Sequence, residues 1–93
     1  MIKKVFTVYD AKAELYMEPF MFSNQGEAIR GFIDVCNDPK TVFYKHPEDY
    51  TLFYIADYDN SIGNYHALSA KVPLGTAIEY MKKGVEISGS SAV

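Results

Sequence analysis

In KHPEDYTLFYIADYDN, residues 45–60, Tyr50, Tyr54 and Tyr58 stand four apart among other aromatic and aliphatic side chains. A tyrosine ring offers an apolar face and a hydroxyl handle, so it tolerates half-exposed positions and can stack on a base or another ring. The rings open to stacking are Tyr9, Tyr16, Tyr54 and Tyr58, and the cations that could meet phosphates are Lys3, Lys4, Lys12, Arg30, Lys40 and Lys45. Rings interleaved with cations are the chemistry of sequence-tolerant single-strand binding, worth about 1–3 kcal/mol per stacked base. A tyrosine-rich sheet face has other uses. It can pair with another subunit, lie under a helix or belong to an ordinary core, and the residues alone leave these open.

Other chemistries find little support. His46 and His66 lie twenty residues apart with no second ligand at zinc spacing. His46 precedes Pro47 in a loop, where a solvated or capping histidine is the simple reading. No nucleophile motif frames a serine, and Gly75, Gly84 and Gly89 fit neither phosphate-binding spacing. The pairs Glu48–Asp49 and Asp57/Asp59 read as turn and edge carboxylates. DYDNSIGN lacks the glycine and terminal glutamate that a calcium loop needs. The expectation is a protein with no catalytic site, metal or cofactor.

The elements that must position the rings follow from hydrophobic pattern and turn chemistry. Residues 2–9 read as a strand, with Phe6 and Val8 on one face. A turn at Asp10–Ala13 leads to a second strand over 14–21, limited by Pro19 to an edge or a bulge. Asn24 and Glu27 frame the start of a helix that places Ile29, Phe32, Ile33 and Cys36 at helical spacing. Pro39 ends it, and Gly31 within it costs about 1 kcal/mol relative to alanine. Pro47 opens a short turn, strand 51–58 follows, and DYDNSIGN turns the chain into a fourth strand over 64–69. Thr76 and Glu79 then form a capping box for a last helix, with Lys82 and Lys83 at its end and Gly84 as its stop. The order is ββαββα, an α+β domain over residues 1–87 with a flexible tail over 88–93. Its antiparallel sheet of about four strands has helices packed on one face. With Phe6, Val8, Phe53 and Ile55 under the helices, the open face would carry Thr7, Tyr9, Leu52, Tyr54 and Tyr58.

Bulk properties narrow the partners. Ninety-three residues suit one domain that hides about 60–65% of its unfolded surface. Net charge is −3, with six basic and six acidic residues over 1–45 but three and six over 46–93. Non-specific phosphate binding therefore needs a local patch, because the bulk charge opposes it. The single cysteine, Cys36, lies on an apolar helix stripe and reads as a small buried hydrophobe in a reducing compartment. No run of 18 apolar residues is present, and MIKKVFTVYD lacks a signal peptide's apolar segment.

The stretch FTVYDAKAELYMEPFMFSNQGEAIRGFIDVCNDPKTVFYKHPEDYTLFYIADYD resembles the small non-structural protein of gokushovirus-type microviruses, phages with circular single-stranded DNA genomes. The likeness lies in the turn Tyr9, Asp10, Lys12, Ala13; in Glu18–Phe20; in Ala28–Arg30 with Phe32; in Asp38–Pro39; and in KHPEDY at 45–50. It covers residues 3–60 well and the remainder loosely. The resemblance implies DNA binding in genome replication or packaging, with no enzymatic motif. Because Arg30, Lys45 and His46 occupy matching positions, it gives them more weight as binding candidates. The resulting expectation is a phage protein of the host bacterial cytoplasm that binds single-stranded DNA without sequence preference. Its site would comprise Lys3, Tyr9, Lys12, Tyr16, Arg30, Lys45, His46 and Tyr54, repeated in a homo-oligomer, a dimer or larger. Phage replication or capsid proteins are further expected partners. The alternative is a self-associating protein-interaction factor that docks on replication or assembly proteins through the same aromatic face.

Overall fold

A computed structural model describes residues 1–81. The expected helix end at Lys82–Gly84 and the tail at 88–93 lie outside the described residues. Strand β1 (Ile2–Asp10) is the spine of an antiparallel sheet. On one side it pairs with two short strands, β2 (Leu15–Tyr16) and β3 (Phe20–Phe22). On the other it pairs with β4 (Tyr50–Asp59), which pairs in turn with β5 (Asn64–Thr76). Helix α1 (Gln25–Cys36), the single turn α2 (Val42–Lys45) and a 3-10 turn at Pro47–Asp49 lie between β3 and β4. A last helix, α3, begins at residue 77. The α+β class and the antiparallel sheet with helices on one face are as expected.

Local chemistry accounts for most boundaries. The Asp10 carboxylate accepts from the amides of Lys12 and Ala13 at 3.0 and 3.2 Å, which closes the β1–β2 turn. Pro19 separates β2 from β3, so the expected second strand is two fragments. Asn24 caps α1 by accepting from the Glu27 amide at 2.9 Å, while its side-chain amide donates to the Glu27 carboxylate. Asn37 closes α1 by donating to the Ile33 carbonyl at 2.8 Å. Helix α2 was not expected. It forms because the Thr41 hydroxyl accepts from the Tyr44 amide at 3.3 Å while donating to the Val35 carbonyl at 2.6 Å. Thr76 and Glu79 make the anticipated capping box, with the Thr76 hydroxyl 2.9 Å from the carboxylate.

Strand β5 runs seven residues past its expected end at 69. It holds Pro73 because it is an edge strand, where a missing ladder N–H costs nothing. Its register against β4 shifts between Tyr54 and Ala56, where β5 carries four residues, 68–71, against Ile55 alone. The same residue is a bulge in the β1–β4 ladder.

The core lies between the sheet and α1. Phe6, Val8, Tyr50 and Leu52 meet Ala28, Phe32 and Cys36, with Ala77 and Tyr80 closing one end. Phe6, Leu52 and Cys36 are fully buried, and each large apolar side chain so placed contributes about 1.5–3 kcal/mol of transfer free energy. Burial pushes the Cys36 thiol up to about 12, in keeping with its reading as a buried hydrophobe.

The phase of β4 corrects the expected faces. Leu52 pairs with Val8 and Tyr54 with Phe6, so both lie on the helix side; Phe53 pairs with Thr7 and lies on the open side. Both alternating sets, Leu52/Tyr54 and Phe53/Ile55, are apolar or aromatic, so alternation alone does not choose between them. The bulge at Ile55 then reverses the phase. Tyr54 and Tyr58, four apart, lie on opposite faces, and Tyr58 is on the open side opposite Lys3.

Candidate nucleic-acid interface

Register assigns the open face strand by strand. From β1 it carries Lys3, Val5, Thr7 and Tyr9; from β2, Tyr16; from β3, Met21. From β4 it carries Thr51, Phe53, Ala56 and Tyr58, and from β5, Tyr65, Ala67 and Pro73. The three carboxylates carried by these strands, Asp10, Asp57 and Asp59, all share the other face, opposite Tyr50, Lys4 and Ile2. A chain of net charge −3 thus keeps its strand carboxylates off one aromatic face.

The rings on that face form two groups. Tyr16 lies 4.7 Å from Tyr9 and 5.8 Å from Phe53, centre to centre, and is 45% exposed. The Lys71 ammonium sits 5.5 Å above the Tyr16 ring, carried there by the extra residues of β5. At the other end of β4, Tyr58 and Tyr65 lie 4.7 Å apart. Lys3 pairs with Tyr58 in the ladder, and its ammonium donates to the Ser23 hydroxyl at 3.1 Å. Between the groups, the buried Thr7 hydroxyl donates to the Met17 carbonyl at 2.7 Å, which ties the β2–β3 connection to the sheet.

Of the eight residues expected at the site, Tyr9 and Tyr16 are in contact and Lys3 shares their face. Lys12 is exposed in the adjoining hairpin turn. Tyr54 is on the helix side, its ring 5.5 Å from Phe6. Its hydroxyl donates to Asp57 and accepts from Lys4 at 3.3 Å, and the Lys4 ammonium lies 4.6 Å from its ring. The bond to Asp57 and partial burial hold this phenol above its ordinary range. Arg30 is exposed on α1, a helix whose buried stripe, Ala28, Phe32 and Cys36, faces the sheet. Lys45 and His46 are exposed at the end of α2, where His46 lines a recess of about 360 Å³ with Lys12, Asp49 and Tyr50. Burial and the charges of Asp10 and Asp49 raise the Tyr50 phenol there. Ligand atoms of His46, Glu48 and Asp49 come within 4.8 Å of one another, a proximity that the turn itself imposes.

The pattern missed Phe53, Tyr65 and Lys71. The expected alternation puts Phe53 under the helices, and Tyr65 lies on the strand expected over 64–69 with no pattern to single it out. Lys71 fell beyond the expected end of β5, and only its position before Pro73 hints at an edge strand that continues.

On the helix side, Phe20, Phe22, Gly31, Val35 and Phe43 line an apolar groove of about 350 Å³ between β3 and the helices. No helix among the described residues is long and apolar enough to cross a membrane.

The profile of the phage ORF5 protein family matches residues 3–80. The chain is 34% identical over 71 residues to Protein ORF5 of Chlamydia phage 1, which spans 72% of this chain and 74% of that protein. No solved structure matches it.

Proposed function

Given that the chain belongs to the phage ORF5 protein family, we propose that it is a non-catalytic protein that binds single-stranded DNA without sequence preference, in genome replication or packaging. The observation that carries this reading is the make-up of the open face. Tyr9, Tyr16 and Phe53 form a contiguous aromatic surface under Lys71, Lys3 lies further along β1, and the strand carboxylates face the other way. Bases of an unpaired strand would stack on Tyr16 and its neighbours while Lys71, Lys3 and Lys12 meet phosphates. Rings accept any base by its π-face, which gives tolerance of sequence. So few cations make a weak track on one copy, and a homo-oligomer would lengthen it and add avidity.

A second reading is favoured by the apolar groove between β3 and α1, whose lining suits a protein side chain better than a phosphate. In it the chain is an interaction factor that docks on replication or assembly proteins. Salt separates the two. Labelled single-stranded and duplex oligonucleotides, titrated with the protein at about 50 and 200 mM salt, would show affinity that falls with salt and favours the single strand. Tyr16→Ala would then weaken binding by about 1–3 kcal/mol. Absence of binding at both salts would remove the DNA reading and leave the groove as the place to seek a partner.

A further inference from the structure

Between the two aromatic groups of the open face lies a hollow of about 380 Å³, lined by Val5, Pro19, Met21, Ile55, Ala56 and Tyr65. We infer that it receives one unstacked nucleobase of the bound strand, held flat against the Tyr65 ring. The inference rests on the single-strand reading and assigns to it a site that the stacked rings alone do not supply.

The shape comes from the β4 irregularity. The bulge at Ile55 turns that side chain out to form a wall, and the small Ala56 beside Val5 leaves a low floor, 8% and 4% exposed. Met21, opposite Val5 on β3, forms the other wall with Pro19. Tyr65 is 63% exposed, and Tyr58 backs it at 4.7 Å. One face of the Tyr65 ring is therefore braced while the ring stays open to a ligand. The volume falls at the small end of ligand pockets, about 300–1,000 Å³.

Charge and position favour a base over an apolar protein side chain. Lys3 lies beside Tyr58 at one end and Lys71 over Tyr16 at the other, so a strand crossing the hollow meets a cation on each side. Val5 and Tyr9 are four residues apart on β1, about 13 Å at the strand rise. The hollow and the Tyr16 surface thus serve different nucleotides of one strand. A base enters such a hollow only when unpaired, as in enzymes that take a base out of the stack between aromatic and apolar walls. The lining is apolar apart from the Tyr65 hydroxyl, so it would grip the ring of any base without reading its edge.

The test uses the full chain and a labelled oligothymidine, with a second oligonucleotide carrying 2-aminopurine at one central position. Tyr65→Ala should lower affinity about 10-fold, leave the salt dependence unchanged and reduce the change in 2-aminopurine fluorescence that the unaltered protein produces to the part contributed by the Tyr16 surface. Tyr65→Phe, which keeps the ring, should retain both affinity and signal. A strand of abasic sites should bind the unaltered and Tyr65→Ala proteins equally. Tyr65→Ala binding oligothymidine as the unaltered protein does would overturn the hollow as a base site and leave the Tyr16 surface standing. No binding of any strand by the unaltered protein would overturn both.

Discussion

The Lys71 ammonium lies 5.5 Å from the centre of the Tyr16 ring, although β5 and β2 stand at opposite ends of the sheet order. Two strands separate them in the ladder. The contact exists because the sheet curls and because residues 68–71 of β5 oppose Ile55 alone. An irregular edge strand therefore delivers a cation to an aromatic surface built on the other edge. The same irregularity, with Pro73, blunts β5 as a template for strand-to-strand pairing. Any self-association would then use a face of the sheet in preference to that edge.

Lys71→Ala should keep the fold, since the side chain is exposed and a surface cation–π contact is worth only about 0.5–1 kcal/mol. If Lys71 meets a phosphate, the slope of log affinity against log salt on single-stranded DNA should shrink by about 0.7. Lys40→Ala, altered in the exposed turn after α1, should leave the slope as it was. Equal slopes for Lys71→Ala and the unaltered protein would take Lys71 out of the track.

Two glycines should respond to alanine with opposite signs. A Cβ on Gly31 would touch the Phe22 ring at 3.4 Å, an ordinary contact, so Gly31→Ala should gain about 0.5–1 kcal/mol of helix propensity. Gly75 has φ +136°, and a Cβ there would come within 2.8 Å of the Tyr80 ring. Gly75→Ala should lose at least about 1–3 kcal/mol. Urea unfolding midpoints check both, and a lower midpoint for Gly31→Ala would mean that Phe22 has no room to give.

The contrast shows what the sequence could convey. Asn24 with Glu27, Thr76 with Glu79, and Asp10 before its turn are local chemistry, and each makes the bond its type and spacing predict. The α+β class followed from those punctuations. The site was less legible, because it depends on which alternating set of β4 faces the helix. Leu52/Tyr54 and Phe53/Ile55 are equally apolar as sets, and the choice is made by packing against Phe6, Val8 and Phe32. The bulge at Ile55 has no residue signature either, yet it decides that Tyr58 is displayed while Tyr54 is held by Lys4 and Asp57. The pairing of Tyr9 with Tyr16 is legible because the short turn at Asp10 brings them opposite each other whatever β4 does.

Stability should fall steeply in alkali. Burial raises the Cys36 thiol from 9.0 to about 12, and the Tyr50, Tyr54 and Tyr80 phenols are all raised above 10.0. In each case the folded state holds its proton more tightly than the unfolded chain does. Between a group's unfolded and folded values the unfolded chain has lost that proton and the folded protein has not, so stability declines with rising pH. For Cys36 the contribution is fully present below about pH 9 and is removed as pH climbs towards 12, by up to about 1.4 kcal/mol per pH unit, while the phenols begin to lose theirs only above about pH 10. Urea midpoints measured from pH 7 to 11 should therefore be level to about pH 9 and then drop. Cys36→Ala, though less stable throughout, should delay the onset to about pH 10, where only the phenols remain. An onset unchanged by that substitution would mean that the thiol reaches solvent before the protein unfolds.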